Sequence, residues 1–444
     1  MSDLNRIQDE LQVLAQNLVE RARSGDAACE EQGIKIPEKL LTILPQCFMN
    51  TIETTTKLKE DGKSYIFTGD IPAMWLRDSS AQVIHYMPLA SESTLIADLI
   101  AGLIAQQVAY IQIDPYANAF NEEPQEDAHY GNDLPEPSPW VWERKYEIDS
   151  LCYPLWLAWH YYRATSDHGP FDEDFLDVCK TILHLWKVEQ NHSEDSDYWF
   201  TRTNCPPSDT LSHDGKGAPV KPTGMTWSGF RPSDDACVYG YLIPANMFAV
   251  VSLRYMAEIL EDIYQEKALA DEAIELADMI DAGINEYGIV DHEEFGPIYA
   301  YETDGFGNYV LMDDANVPSL LSIPYLGYTD ADDAVYQNTR KFVLSKHNPY
   351  YFAGEVARGI GSPHTPDQYI WHIALSMQAL TSKDSDEINA ILETIARTDA
   401  DTGFMHEGFH VDDPTQFTRE WFAWSNSLFS SLLQQLITEG ISDV

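Results

Sequence analysis

The chain has 444 residues, and its 72 acidic against 27 basic residues give a formal net charge of −45. No basic stripe is visible, which argues against nucleic acid and anionic membrane surfaces as partners. An apolar fraction of 44 % with 12 % aromatics is ample for one large core.

The N-terminal segment places Leu4, Ile7, Leu11, Leu14 and Leu18 at three- and four-residue steps, which predicts an amphipathic helix over 4–23. It lacks the continuous apolar run of a signal peptide, so the expected location is cytoplasmic. Further helices are predicted over 38–56, 79–90, 94–112, 149–165, 172–190, 235–263, 266–286, 315–325, 331–344, 367–382, 385–397 and 419–438. The stretch LIADLIAGLIAQQVAYI within this series reads as too short and too polar to span a bilayer. Strand signals are few: 65–68, and a hairpin over 289–311 with turn residues DGFGN. The loops around 114–145 and 201–230 are long enough to wall a pocket. Six dispersed cysteines, Cys29, Cys47, Cys152, Cys179, Cys205 and Cys237, form no C-x-x-C pair, so free thiols in a reducing compartment are expected.

Six times a polar stretch bearing Asp or Glu opens an apolar-rich helix. The stretches are WLRDSSAQV (75–83), YEIDSLCYP (146–154), RPSDDACVYG (231–240), MDDANVPSL (312–320), HTPDQYIWH (364–372) and TREWFAWSN (418–426). Six inner helices, each preceded by an outer one, describe an all-α (α/α)6 barrel. This six-hairpin toroid would be a single domain over 1–444 with a small β-hairpin insertion. Each inner helix would point its N-terminal end at a common cavity. Taken singly, an Asp at a helix start is an ordinary cap. Six together, with adjacent Trp and Arg, match the chemistry of sugar recognition, in which carboxylates accept from hydroxyls and rings cover the apolar sugar face.

Near the C-terminus His406-Glu407-Gly408-Phe409-His410 matches H-E-x-x-H. A zinc site would need both histidines on one helix face. Gly403, Gly408 and Pro414 leave little room for that helix. The remaining readings are a polar loop with ordinary histidines, or Glu407 as a base without metal.

The blocks FTGDIPAMWLRDSSAQV (67–83), WERKYEIDSLCYP (142–154), GMTWSGFRPSDDACVYGYLIPANMFAV (224–250), DDANVPSLLSIPYLGY (313–328) and FMHEGFHVDDPTQFTREWFAWSNSLFSSL (404–432) resemble glycoside hydrolase family 125. The resemblance runs from about Leu40 to the end. It implies an inverting, metal-independent exo-α-1,6-mannosidase on an (α/α)6 barrel, acting on a mannose-containing oligosaccharide without a cofactor. It implies a general acid at Asp234, with Asp235 its near neighbour, and a general base at Glu407. It also implies that Trp75, Arg77 and Asp78 hold the terminal mannose. Glu420 departs from the pattern, standing where a proline is expected. Further substrate-binding candidates are Glu147, Trp227, Arg231, Asp235, Asp313, Asn316, His364 and His406. For Glu147 capping is an alternative, and for Trp227 packing is. Inversion needs the two carboxyl groups about 6.5–9.5 Å apart, with the acid protonated. A helix start beside Arg231 would favour the charged form of Asp234, against that requirement. Rival readings are a glycoside phosphorylase on the same toroid and a non-catalytic sugar-binding protein.

Overall fold

The computed structural model describes residues 2–126 and 129–441. Seven helices bury one face each: Asp3–Arg23, Glu38–Thr54, Thr94–Ile113, Glu173–Glu189, Lys267–Tyr287, Ala334–Val343 and Ser385–Ala396. Five of them start with a side-chain cap from Ser2, Ser93, Asp172, Asp333 or Asp384, which satisfies an otherwise orphaned first-turn N–H.

Six inner segments alternate with them: Leu76–Ala81, Asp149–Thr165, Ile243–Asp262, Ile323–Leu326, His372–Leu380 and Ala423–Thr438. None of the six has a side-chain cap; five start directly after Trp75, Ile148, Leu242, Trp371 or Phe422. Leu76–Ala81 packs on Asp149–Thr165, which packs on Ile243–Asp262, which touches Ile323–Leu326. His372–Leu380 packs on Ala423–Thr438, which returns to Leu76–Ala81. One apolar cluster extends from Ile7 to Ile437.

The outer boundaries match the periodicity within a few residues, as does the inner helix Asp149–Thr165, while the other inner starts do not. The helix expected over 235–263 begins at Ile243, that over 367–382 at His372, and that over 419–438 at Ala423. Preceding residues are held in short pairings instead. Met74–Trp75 lies on Ala119–Phe120, Tyr241–Leu242 on Glu302–Thr303, and Tyr369–Trp371 on Gly408–His410. The 315–325 helix shrinks to the turn Ile323–Leu326, because Pro318 disfavours helix at Val317 and supplies no donor. The 79–90 helix splits into Leu76–Ala81 and the 3-10 turn Ile84–Leu89. The single hairpin over 289–311 is two: Ile289–His292 with Gly296–Tyr299, and Glu302–Thr303 with Tyr309–Val310 around DGFGN. The strand expected over 65–68 is Ser64–Ile66, paired with Thr56–Leu58.

Two helices, Thr94–Ile113 and Ile243–Asp262, are long and apolar enough to cross a bilayer, contrary to the expectation for the first. Both are packed mostly inside the protein, 61 % and 83 % buried over their apolar windows.

Candidate active site

The small strands put chemistry at the N-terminal ends of the inner segments. A cavity there is lined by Trp75, Arg77, Asp78, Ser233, Asp234, Asn316, His364, Glu407 and Arg419, together with Trp371, Phe422 and Trp424. A larger surface recess beside Thr94–Ile113 holds neither Asp234 nor Glu407.

Asp234 is not at a helix start, as the sequence suggested. It lies in the tight loop 230–236, closed by the Phe230–Ala236 bridge, with its N–H donating to the Arg231 carbonyl at 2.9 Å. Its φ of +67° is a left-handed conformation that Asp tolerates better than most residues. Its Oδ1 accepts from Trp75 Nε1 at 3.2 Å, Arg77 Nη2 at 3.3 Å and Asn118 Nδ2 at 3.2 Å. Lys145 Nζ donates to its backbone carbonyl at 2.8 Å. Burial opposes ionisation, but Arg77 and Lys145 overrule it and hold Asp234 below the usual carboxylate range.

Arg77 is the hub. Its Nη1 donates to Glu147 Oε2 at 2.6 Å and Asp149 Oδ2 at 2.9 Å, and its Nε lies 3.5 Å from Asp78 Oδ2. Burial pushes Asp78 up to about 6 against the pull of Arg77 and Arg419. Glu147 and Asp149 are fully buried behind Arg77, and burial raises both. Glu147 therefore stands behind the cavity wall rather than in its lining.

Glu407 has the opposite surroundings. Two inner helices fix its backbone: Asn426 Oδ1 accepts from Met405 N at 2.9 Å, and Ser425 Oγ donates to the His406 carbonyl at 3.0 Å. His406 N donates to His372 Nδ1 at 3.1 Å. Gly408 follows in the strand opposite Trp371, where an added Cβ would lie 3.2 Å from the indole nitrogen. Its lack of a side chain leaves room for that ring. Among the described residues no hydrogen bond reaches the Glu407 carboxylate, and Arg419 Nη1 stands 3.7 Å from it. Such an oxygen is available to a water.

The H-E-x-x-H segment is not a metal site. Gly408–His410 is a strand, so the two histidines do not share a helix face. The His406 ring lies 3.0 Å from Thr402 Oγ1 and 3.3 Å from the Arg419 carbonyl, fully buried rather than lining the cavity as expected. His410 Nδ1 accepts from Asp412 N at 3.2 Å. No cluster of metal-binding side chains occurs among the described residues.

Four other candidates sit elsewhere. Arg231 Nε donates to buried Glu302 at 2.5 Å, away from the cavity. Trp227 is packed, stacked 3.6 Å from His192 and pressed against Gly240, where any Cβ would collide with it. Asp313 accepts from Leu320 N at 2.8 Å and Leu321 N at 3.0 Å. Asp235 approaches His364 Nδ1 at 3.7 Å and accepts from Ser233 Oγ at 3.3 Å, outside the lining. Asn316 lines the cavity, its amide held by Asp314 Oδ1 at 3.2 Å. His364 is raised to about 9; burial opposes this, and Asp235, Glu407 and Asp234 outweigh it.

Sequence reasoning missed Asn118, Lys145 and Arg419 as site residues. Arg419 lay inside one of the six acidic openings and was legible there; Asn118 carried no local signal.

A family model described as Metal-independent alpha-mannosidase (GH125) matches residues 37–434. The chain is 40 % identical over 422 residues to the meiotically up-regulated gene 157 protein of Schizosaccharomyces pombe, spanning 90 % of this chain and 82 % of that protein. It is also similar to a metal-independent α-mannosidase of Streptococcus pneumoniae, solved as a non-productive substrate complex with α-1,6-mannobiose. That match has a TM-score of 0.92 at 44 % identity over 99 % of each chain. A bacterial glucoamylase complexed with acarbose shares the fold at a TM-score of 0.55 and 14 % identity, over 91 % of this chain and 56 % of that one.

Proposed function

The chain belongs to glycoside hydrolase family 125 and is a glycoside hydrolase, and from that premise we propose an exo-acting α-mannosidase that removes terminal α-1,6-linked mannose with inversion. Its substrate would be an oligosaccharide or N-glycan. The observation that carries the reading is the pair of carboxyl groups on one cavity: Asp234 among three donors, and Glu407 with Arg419 at 3.7 Å and no hydrogen bond among the described residues.

In the proposed reaction Asp234 gives a proton to the departing glycosidic oxygen. Glu407 takes one from a water that attacks the anomeric carbon on the opposite face. Trp75, Arg77, Asp78, Asn316 and His364 line the place of the terminal mannose, and the rings of Trp371, Phe422 and Trp424 in the same lining suit the apolar face of a sugar. The alternation of seven outer and six inner segments supports a six-hairpin (α/α)6 toroid in a single domain. A net charge of −45 suits a neutral glycan better than nucleic acid or an anionic membrane. Six free cysteines favour a reducing, cytoplasmic setting.

A phosphorylase on the same scaffold would need cations free for phosphate. Arg77 and Arg419 are instead engaged by carboxylates.

Proton NMR of mannose released from α-1,6-mannobiose tests the proposal. The expected first product is β-mannose, with Glu407→Gln slowing release by about 10²-fold or more. Initial α-mannose, or an undiminished Glu407→Gln, would overturn the role of Glu407.

A further inference from the structure

We propose that Glu147 shares with Asp234 the single proton that the acid step consumes, so that Glu147 is a positioning residue for the general acid. This rests on the assignment of Asp234 above, and it resolves a difficulty in that assignment. An acid must hold a proton, yet three donors converge on Asp234 Oδ1 and favour its carboxylate form.

The charge balance of the cluster requires a proton somewhere within it. One guanidinium, Arg77, serves Glu147, Asp149, Asp234 and Asp78. The neighbouring cations are already engaged: Lys145 with Glu143 at 3.4 Å and Asp209 at 2.7 Å, Arg202 with Asp133 at 2.6 Å and Glu143 at 3.0 Å. Asp235 and Glu407 add negative charge from the other walls; the cations facing them are His364 and Arg419, and Arg419 is also paired with Asp70. Burying so many unpaired carboxylates is too costly for all to be ionised.

Geometry places the proton. The carboxyl groups of Glu147 and Asp234 share two donors, Arg77 and Asn118, which sets them side by side, where a proton on one can be shared with the other. Asn118 Nδ2 bridges them, 3.2 Å from Asp234 Oδ1 and 3.4 Å from Glu147 Oε1. Arg77 and Ser150 both donate to Glu147 Oε2, at 2.6 and 2.8 Å. Among the described residues Oε1 receives only the Asn118 amide at 3.4 Å, so it is the Glu147 oxygen free to carry hydrogen toward Asp234. Two carboxyl groups in one site behave as a pair holding one proton.

In the reaction the proton passes from Glu147 Oε1 to Asp234 and then to the glycosidic oxygen, which keeps the electron pair of the breaking C–O bond. Water oxygen bonds to the anomeric carbon and gives its proton to Glu407. Afterwards Glu407 releases that proton to solvent, and the Glu147–Asp234 pair takes one back.

The test compares a poor and a good leaving group. Glu147→Gln keeps the shape but donates an N–H to Asp234, fixing it as a carboxylate. On α-1,6-mannobiose kcat should fall about tenfold or more with KM little changed, while on dinitrophenyl α-mannoside, whose leaving group needs no proton, kcat should stay within about twofold. The alkaline limb of the mannobiose profile should move to lower pH. Asp234→Asn is run beside it and should show the same dependence on leaving group. Equal losses on both substrates, or wild-type kcat on mannobiose, would overturn the sharing while Asp234→Asn still discriminates. If Asp234→Asn does not discriminate, the acid assignment falls and the sharing with it. Should Glu147→Gln fail to fold, Glu147→Asp draws the carboxyl back from Asp234 while keeping it for Arg77, and carries the same comparison.

Discussion

His364 is a cation of the cavity that loses its charge as pH rises through about 9. Its side chain is 41 % exposed, so solvent screens part of its attraction to Asp235 3.7 Å away. Burial works against the charge, yet the three carboxylates Asp235, Glu407 and Asp234 raise it from 6.5 to about 9. A histidine raised on folding stabilises the native state fully below its unfolded value. That contribution is lost as pH rises from about 6.5 through about 9. Wild-type Tm should therefore decline across this window more steeply than that of His364→Gln. Thermal melts at several pH values check it, and parallel Tm–pH curves for the two proteins would refute the electrostatic role.

At the scale of elements, the acidic openings divide by what holds them. Asp313 accepts two buried backbone N–H groups, from Leu320 and Leu321, and so closes the segment that leads to the turn Ile323–Leu326. Asp313→Ala orphans both donors and should cost about 2–4 kcal/mol, read from denaturant unfolding, while Asp313→Asn retains an acceptor and should cost less. Equal stability of Asp313→Ala and wild type would remove the cap. The sequence gives no way to tell this Asp from Asp78 or Asp234, because all three sit in similar polar stretches ahead of apolar runs. Helices such as Asp149–Thr165 were legible because their periodicity is local. The other inner starts were not, because strands of two or three residues such as Tyr241–Leu242 exist only through partners as distant as Glu302. The same holds within the site. Asp234 and Glu407 were carried by the resemblance, and Asn118 joins them only through the sheet that brings Ala119–Phe120 beside Met74–Trp75.

For the whole molecule the question is which electrostatic effect of salt wins. Salt weakens exposed surface ion pairs such as Lys180–Asp177 and Lys267–Asp271. It also screens the mutual repulsion left by 72 acidic against 27 basic residues. The buried cations Arg77, Lys145, Arg202 and Arg231 are outnumbered by buried carboxylates such as Asp78, Glu143, Glu147, Asp149 and Glu302, and the outer surface still keeps a large acidic excess. Repulsion among the uncompensated carboxylates should outweigh a few weak pairs, and Tm should rise as NaCl goes from about 0.01 to about 0.5 M, where the screening length falls from roughly 30 Å to below 8 Å. A neutral mannobiose gains nothing from long-range steering, so kcat/KM should stay flat over the same range. A Tm that falls with salt would mean that the surface pairs dominate after all. A falling kcat/KM would mean that charged parts of a natural substrate, absent from mannobiose, are not what the surface field acts upon, and that the field reaches the cavity itself.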